Sequence, residues 1–298
     1  MELRHLRYFV AVAEELHFTR AAARLHIGQP PLSQQIQALE GELGVQLFER
    51  NKRSVRLTVA GQLFLHDAQR ILALSEQAAA TARRAHRGEI GELRIGFTYS
   101  TPFTPLFAGV INRYRQLYPG VTLTLLETAT RHQIVAIDQR GMDLGFIRPP
   151  EELIPDTISL TLLREDRLLA VLPVAHPLAA RRQVAIGDLA GAPFVMYPRD
   201  AGTGLHPRLL RLCRDAGFEM HIAQEANEAP TIIGLVAAGC GISVLPTPFD
   251  SIRMEGVCYR PITDPAASTS LLLVRRRDDN SPLIEAFVRL AQEAALPT

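Results

Sequence analysis

Hydrophobic positions recur at two different periods along the chain, and the change of period divides it. Leu3, Leu6, Phe9, Val10, Ala13 and Leu16 follow helical spacing, with Arg4, Arg7 and Glu14 between them, and predict one amphipathic helix. Phe18 precedes Thr19, a good N-cap. "TRAAARLH" then reads as a short alanine-rich helix closed by Gly28 as its C-terminal cap. Leu32, Ile36, Leu39 and Leu43 form a third apolar stripe, opened by Pro30 and Pro31. Proline fits the first helical turn, where an N–H has no partner and a fixed φ already suits the helix. From Val45 to Thr58 the apolar residues alternate on either side of a basic tip, the pattern of strand, turn and strand. Leu57, Phe64, Ala68, Ile71, Ala78 and Ala82, with Ser75 as a polar member, recur at spacings of three and four, as in a coiled-coil seam. A helix packed on its own domain has the same periodicity.

Beyond Gly91 the rhythm shifts. "ELRIGFT" reads as a strand, "AGVINRYRQLYPG" as a helix, "VTLTLLET" as a strand, and a helix then leads to "MDLGFIR". A similar series runs from "RLLAVLP" through "PFVMYP", "MHIAQEA" and "GISVLP". Strands alternating with helices indicate parallel α/β units. "STSLLLVRRR" and a last helix from about Ser281 return to the first lobe, with crossings near Arg164 and Asp264. Two lobes joined in this way place a ligand cleft between them, at the carboxyl ends of strands.

The polar residues change what the third stripe can be. Ser33, Gln34 and Gln37 carry no charge and stand near the helix start. Short side chains that donate and accept suit base edges in a major groove, and a helix N-terminus attracts phosphate. Alone, this fits a solvated helix in any small bundle. The next segment favours nucleic acid, because Arg50, Lys52, Arg53 and Arg56 cluster at the hairpin with only Glu49 against them. A basic wing beside a helix-turn-helix tracks phosphates or enters the minor groove.

In the second half, candidate contacts follow strands. Ser100 comes after "RIGFTY", Thr130 after "LLETA", where it could cap the next helix, and Arg148 ends "MDLGFIR". "AGTGL", from Ala201 to Leu205, offers backbone N–H groups ahead of a helix, which can hold a carboxylate. The ordinary alternatives are caps for Ser100 and Thr130 and a surface ion pair for Arg148. No GxSxG elbow, P-loop or HExxH is present and no carboxylate pair stands out, so no enzyme is expected.

Bulk properties narrow the class. The chain has 298 residues, 47% hydrophobic and 21% charged, which is globular and too long for one core. Its net charge of +1 requires any nucleic-acid contact to come from a local patch. Cys213, Cys240 and Cys258 form no CxxC pair and read as reduced buried thiols, and the nine histidines do not cluster as metal ligands. Neither a signal peptide nor a membrane span is expected, so the location expected is cytoplasmic.

The run "FTRAAARLHIGQPPLSQQIQALEGELGVQLFERNKRSVRLTVAGQLF" resembles the signature segment of LysR-type transcriptional regulators. The alanine pair Ala21 and Ala22, "QPPLS", "LExELGxxLFxR" and "LTxAG" all carry the likeness. Through "ELRHLRYFVAVAEE", "YRQLYPG", "TLLREDRLLAVLPVAHPL" and "GLVAAGCGIS" it extends over nearly the whole chain, toward regulators of aromatic catabolism that respond to benzoate, muconate or chlorinated muconates. The resemblance implies an α+β multidomain protein. Residues 1–58 would be a winged helix-turn-helix, 59–88 a linker helix, and 91–298 a two-lobe α/β effector domain of periplasmic-binding-protein type. Its first lobe would span about 91–163 and 268–298 and its second about 164–267. It implies DNA contacts from Gln29, Pro30, Pro31, Ser33, Gln34, Arg50 and Arg53, with Thr19 at the head of the second helix. Position 34, often arginine in the family, is glutamine here. It implies effector contacts from Ser100, Thr130, Thr203 and Leu205 with Arg148 beside them, and places Arg164 and Glu228 near a second, more apolar pocket. The partners expected are double-stranded promoter DNA, a second copy through the linker helix, a homotetramer and RNA polymerase, with no membrane. No cofactor or metal is expected beyond a small-molecule effector. The rival readings are a cysteine-based redox sensor and a solute-binding protein of the same two-lobe fold.

Overall fold

The computed structural model describes residues 1–51, 54–149, 154–199 and 204–296. The chain divides into two compact units, Met1–Ala85 and His86–Thr298.

The first unit begins with α1 (Leu3–Glu15), α2 (Phe18–Arg24) and α3 (Gln29–Leu43). Leu6, Phe9 and Val12 of α1, Ala21 and Ala22 of α2, and Leu32, Ile36 and Leu39 of α3 are buried together. The alanine pair lets α2 lie close to both neighbours. A hairpin of β1 (Phe48–Asn51) and β2 (Ser54–Leu57) follows, antiparallel, with Phe48 opposite Leu57 and Arg50 opposite Val55. Its base carries an aromatic cluster in which Phe48 lies 5.3 Å from Phe9 and 6.0 Å from Phe18.

Two end signals differ from the sequence expectation. Thr19 lies inside the first turn of α2, and the cap is His17, whose Nδ1 accepts the Arg20 N–H. Gly28 is the N-cap of α3 rather than the C-cap of α2, and His26 takes the left-handed turn between them at φ 53°. The prolines occupy the first turn of α3 as expected, and Gly44 closes it in the left-handed region at φ 70°.

The long helix α4 runs Val59–His86. Thr58 starts it by accepting the Gly61 N–H and donating to the Gln46 carbonyl. A Cβ on Gly61 would stand 2.1 Å from the Leu47 carbonyl oxygen, so only glycine allows this approach to the hairpin base. Ala68 is fully buried against the three-helix core, whereas Val59, Leu63 and Leu74 are exposed.

In the second unit one lobe contains β3 (Gly91–Phe97), α5 (Pro105–Leu117), β4 (Val121–Glu127), α6 (Thr130–Asp138) and β5 (Leu144–Ile147). The other contains β7 (Pro193–Met196), α7 (Leu205–Asp215), β8 (His221–Glu225), α8 (Ala229–Ala237), β9 (Ser243–Pro246) and β10 (Val257–Pro261). They are joined by β6 (Ile158–Pro173), a 16-residue strand, and by β11 (Ser268–Arg276), and α9 (Pro282–Ala295) ends the chain. The early half of β6 pairs β11, and its later half pairs β9 and β10. Each lobe packs its own core, one around Phe146, Tyr114 and Phe287, the other around Phe194, Ile232 and Leu245. β3 is parallel to β4 and β5, and β7 to β8, as an α/β alternation requires. The connecting strands break that rule: β11 is antiparallel to β5, and β6 to β11. A strand that leaves one lobe to build another, and the one that returns, need not run with the strands they flank.

Candidate functional site

Two places bring chemistry-bearing residues together. On the first unit, Pro30, Gln34, Gln37, Ala38 and Gly41 form an exposed strip along α3 at helical spacing. Gln29 and Pro31 are exposed at its start and Ser33 is half-buried. Gln35 turns the other way, its Oε1 3.0 Å from His5 Nε2 on α1. The outer strip is therefore uncharged and small toward its end, able to lie close to a partner surface. Thr19 is exposed at the head of α2. In the hairpin, Asn51 Oδ1 accepts the Ser54 N–H at 2.7 Å and closes the turn. Arg56 is exposed on β2, opposite Glu49. Arg50 is bound inward, its Nη2 2.6 Å from Glu40 Oε2. Arg53 and Lys52 lie outside the described residues.

On the second unit, a narrow cavity of about 40 Å³ opens between the lobes, and Ser100, Thr130, Arg148 and Leu205 all line it. Thr203 lies outside the described residues. Thr98, Tyr99, Ala129 and Thr269 add to one wall, and Tyr197, Pro246 and Phe249 to the other. Ser100 and Thr130 do not serve as simple caps. Ser100 Oγ accepts from Arg148 Nε at 3.2 Å. Thr130 is the first residue of α6, after the cap Ala129, and its Oγ1 donates to the Arg148 carbonyl at 3.1 Å. Neither is Arg148 a surface ion pair, with only 6% of its side chain exposed.

The Arg148 guanidinium sits 2.6 Å from Asp166 Oδ2, and Arg164 Nε is 2.6 Å from Asp166 Oδ1. Both contacts are close ion pairs, and Arg148 Nη1 also donates to the Thr269 carbonyl at 3.4 Å. Arg148 Nη2 is buried without a hydrogen-bond partner. Burial lowers the Arg148 pKa and the Asp166 charge opposes the shift. Guanidinium remains protonated in proteins, so Arg148 brings a buried positive charge to the cavity wall, paired with Asp166, which Arg164 shares. The rest of the lining is hydroxyl and apolar. Tyr197 is buried, which raises its phenol pKa, and the Glu228 charge raises it further.

Among the described residues, Arg164 and Glu228 are found at different features of the surface. Arg164 lies on a surface hollow with Pro105, Leu106, Gly109 and Leu163, while Glu228 is exposed at the N-cap of α8. Sequence reasoning missed Asp166, Thr269, Tyr197 and Phe249. A charged residue inside the apolar strand around "REDRLLAVLP" was the one available signal, for Asp166. All three cysteines are free, with Cys213 buried in α7 and its thiol pushed up to about 11 by burial. That disfavours the thiolate a peroxide sensor needs. Among the described residues no group of histidine, cysteine or carboxylate side chains could hold a metal ion. None of their helices is long and apolar enough to cross a membrane.

Two family models match the chain: "bacterial regulatory helix-turn-helix protein, lysR family" over residues 3–62 and "LysR substrate binding domain" over residues 86–296. The uncharacterized HTH-type transcriptional regulator YnfL of Escherichia coli (strain K12) is 45% identical over 288 residues, 96% of each chain. The HTH-type transcriptional regulator BenM of Acinetobacter baylyi is 38% identical over 286 residues, 95% of this chain and 93% of that protein. The crystal structure of full-length CbnR complexed with its target DNA matches with a TM-score of 0.82 at 27% identity, covering 99% of this chain and 100% of that one.

Proposed function

The chain belongs to the LysR family of DNA-binding transcriptional regulators and carries that family's effector-binding domain, and from that premise we propose that a small organic anion held against Arg148 sets how the protein grips its DNA. It is not an enzyme. The observation that carries the proposal is Arg148, a buried guanidinium with an unpartnered Nη2, among the residues that line a largely apolar cavity. A buried donor without a partner is costly, and a ligand carboxylate satisfies it with a charge-assisted bond. Ser100 and Thr130 fix the edge of that site, and Tyr197, Phe249, Pro246 and Leu205 offer apolar surface to the ligand's body. Similarity to BenM, with the resemblance to benzoate- and muconate-responsive regulators, supports an aromatic-derived carboxylate. Thr203 would complete the site. Arg164 would serve a second, weaker one in its own hollow.

On DNA, Gln29, Pro30, Pro31, Ser33 and Gln34 present the start of α3 to the major groove, with Thr19 beside them and Arg53 on the wing. With Gln34 in place of arginine, this helix start reads bases with amide and hydroxyl groups. The exposed apolar positions of α4 support pairing of two copies through that helix, and a homotetramer would place two such pairs on one promoter. RNA polymerase would be met there, in the cytoplasm. Effector binding shifts the population of lobe arrangements and so the geometry of the bound DNA.

The test is retention of the protein's own upstream DNA in a gel, with and without benzoate or muconate. Binding to that DNA, with mobility or footprint altered by one carboxylate, is expected. Failure to bind it under any condition would overturn the DNA reading, and binding indifferent to every organic anion would overturn the effector reading.

A further inference from the structure

Arg50 stands where the resemblance puts a DNA contact, yet its charged end faces the protein. Its Nη2 is 2.6 Å from Glu40 Oε2, and its guanidinium carbon lies 4.9 Å over the centre of the Phe18 ring. Through Oε1 the same Glu40 carboxylate accepts the backbone N–H groups of Leu47 at 2.9 Å and Phe48 at 3.0 Å. Glu40 is on α3, Phe18 on α2, and Leu47 and Phe48 at the entry to the hairpin. One ion pair therefore ties recognition helix, preceding helix and wing at a single point. The pair is half-sheltered, with side chains 27% and 12% exposed. To reach a phosphate, Arg50 would have to give up both the carboxylate and the ring face. It would also leave Glu40, a negative charge, uncompensated beside a polyanion.

We propose that Arg50 is a positioning residue: it acts on DNA through Glu40, holding the wing in register with α3, and makes no phosphate contact of its own. The two elements must meet the duplex together, one in a groove and the other along the backbone, and only a short connection from Gly44 to Leu47 joins them. The neutral pair adds no net charge to the DNA face, so its contribution is geometric.

The test uses the full chain and a duplex recovered by the wild-type protein from a random-sequence pool, with affinities measured over a salt series. Glu40→Gln keeps an acceptor for Leu47 and Phe48 but removes the anion facing Arg50. Glu40→Gln and Arg50→Met should each weaken binding about tenfold, the scale of one lost charge-assisted bond, and the double variant should be no weaker than either. In the Glu40→Gln background, Arg50→Met should leave the salt slope unchanged. A direct phosphate contact predicts the opposite sign: Glu40→Gln would free Arg50 and tighten binding, and adding Arg50→Met would then lower the slope by about 0.9. That result overturns the proposal. Stoichiometric titration fixes the active fraction of each variant. Arg50→Lys gives a second reading, since it keeps the charge a phosphate needs but loses the planar fork and the stacking on Phe18. In the Glu40→Gln background it should give the same salt slope as Arg50→Met, and a slope steeper by about 0.9 would contradict the positioning role.

Discussion

The two functional regions are built in opposite ways. The proposed DNA face is local and exposed: from Thr19 to Gln37 its helical residues lie close together in sequence, and most are exposed along α3. The cleft is remote and buried. Arg148 reaches Ser100 across 48 positions of sequence and the Thr269 carbonyl across 121, with Asp166 sealed between two arginines. A face meant for a large, hydrated polyanion can leave its polar groups in water until the partner arrives. A cleft meant for a small ligand must dehydrate its polar groups in advance, and so must hold each in place with another.

That contrast predicts unequal costs of mutation. Arg148→Met leaves Asp166 buried with Arg164 alone and should destabilise the second unit by about 3 kcal/mol, as breaking a buried pair does. Gln34→Ala on the exposed strip should change stability by less than about 0.5 kcal/mol. Urea unfolding of both variants measures the gap, and equal effects would break the comparison.

Within the DNA face the roles should also separate. Gln29→Ala or Ser33→Ala should relax preference at one base position by about 1–3 kcal/mol. Arg53→Ala should weaken binding to all sequences and lower the salt slope by about 0.9. Competition with mismatched duplexes over a salt series reads both, and identical behaviour of the three would remove the division between helix and wing.

A smaller effect belongs to Cys213. Its thiol titrates at about 11 when folded, against an ordinary value of 9.0. Between those values the unfolded chain releases a proton that the folded chain keeps, so stability falls as pH rises through the window and is untouched below it. Cys213→Ala should flatten that fall, seen as a smaller loss of melting temperature between pH 9 and 10. The same variant should leave any response to peroxide unchanged.

These regions are legible in the sequence to different depths, for physical reasons. Three apolar stripes and two prolines mark α1, α2 and α3, because helix and turn are local preferences. Caps are harder to read: a histidine nitrogen does a hydroxyl's work at His17, and Gly28 opens a helix instead of closing one. Clustered arginines announce a basic wing, but no spacing rule shows that Glu40 turns Arg50 inward. In the cleft, Ser100, Thr130 and Arg148 can be found because ligand sites gather at strand ends. Thr269 cannot, and Asp166 shows only as a charge within an apolar strand, since only the crossover of β6 and β11 brings them there. Strand direction is lost for the same reason: an apolar run identifies a strand but carries no record of which way its neighbour runs.

The most direct test of the account is thermal unfolding of the purified protein against benzoate, cis,cis-muconate, chlorinated muconates and uncharged analogues of similar shape. At a hundred times its dissociation constant, a cleft ligand should stabilise the second unit by about 2.7 kcal/mol. A shift is expected with at least one carboxylate and none with its uncharged analogue, and the shift should be lost in a Ser100→Ala, Thr130→Ala double variant that still folds. A shift that survives this double variant, or one given equally by the uncharged analogue, would contradict the claim that an organic anion is held at Arg148.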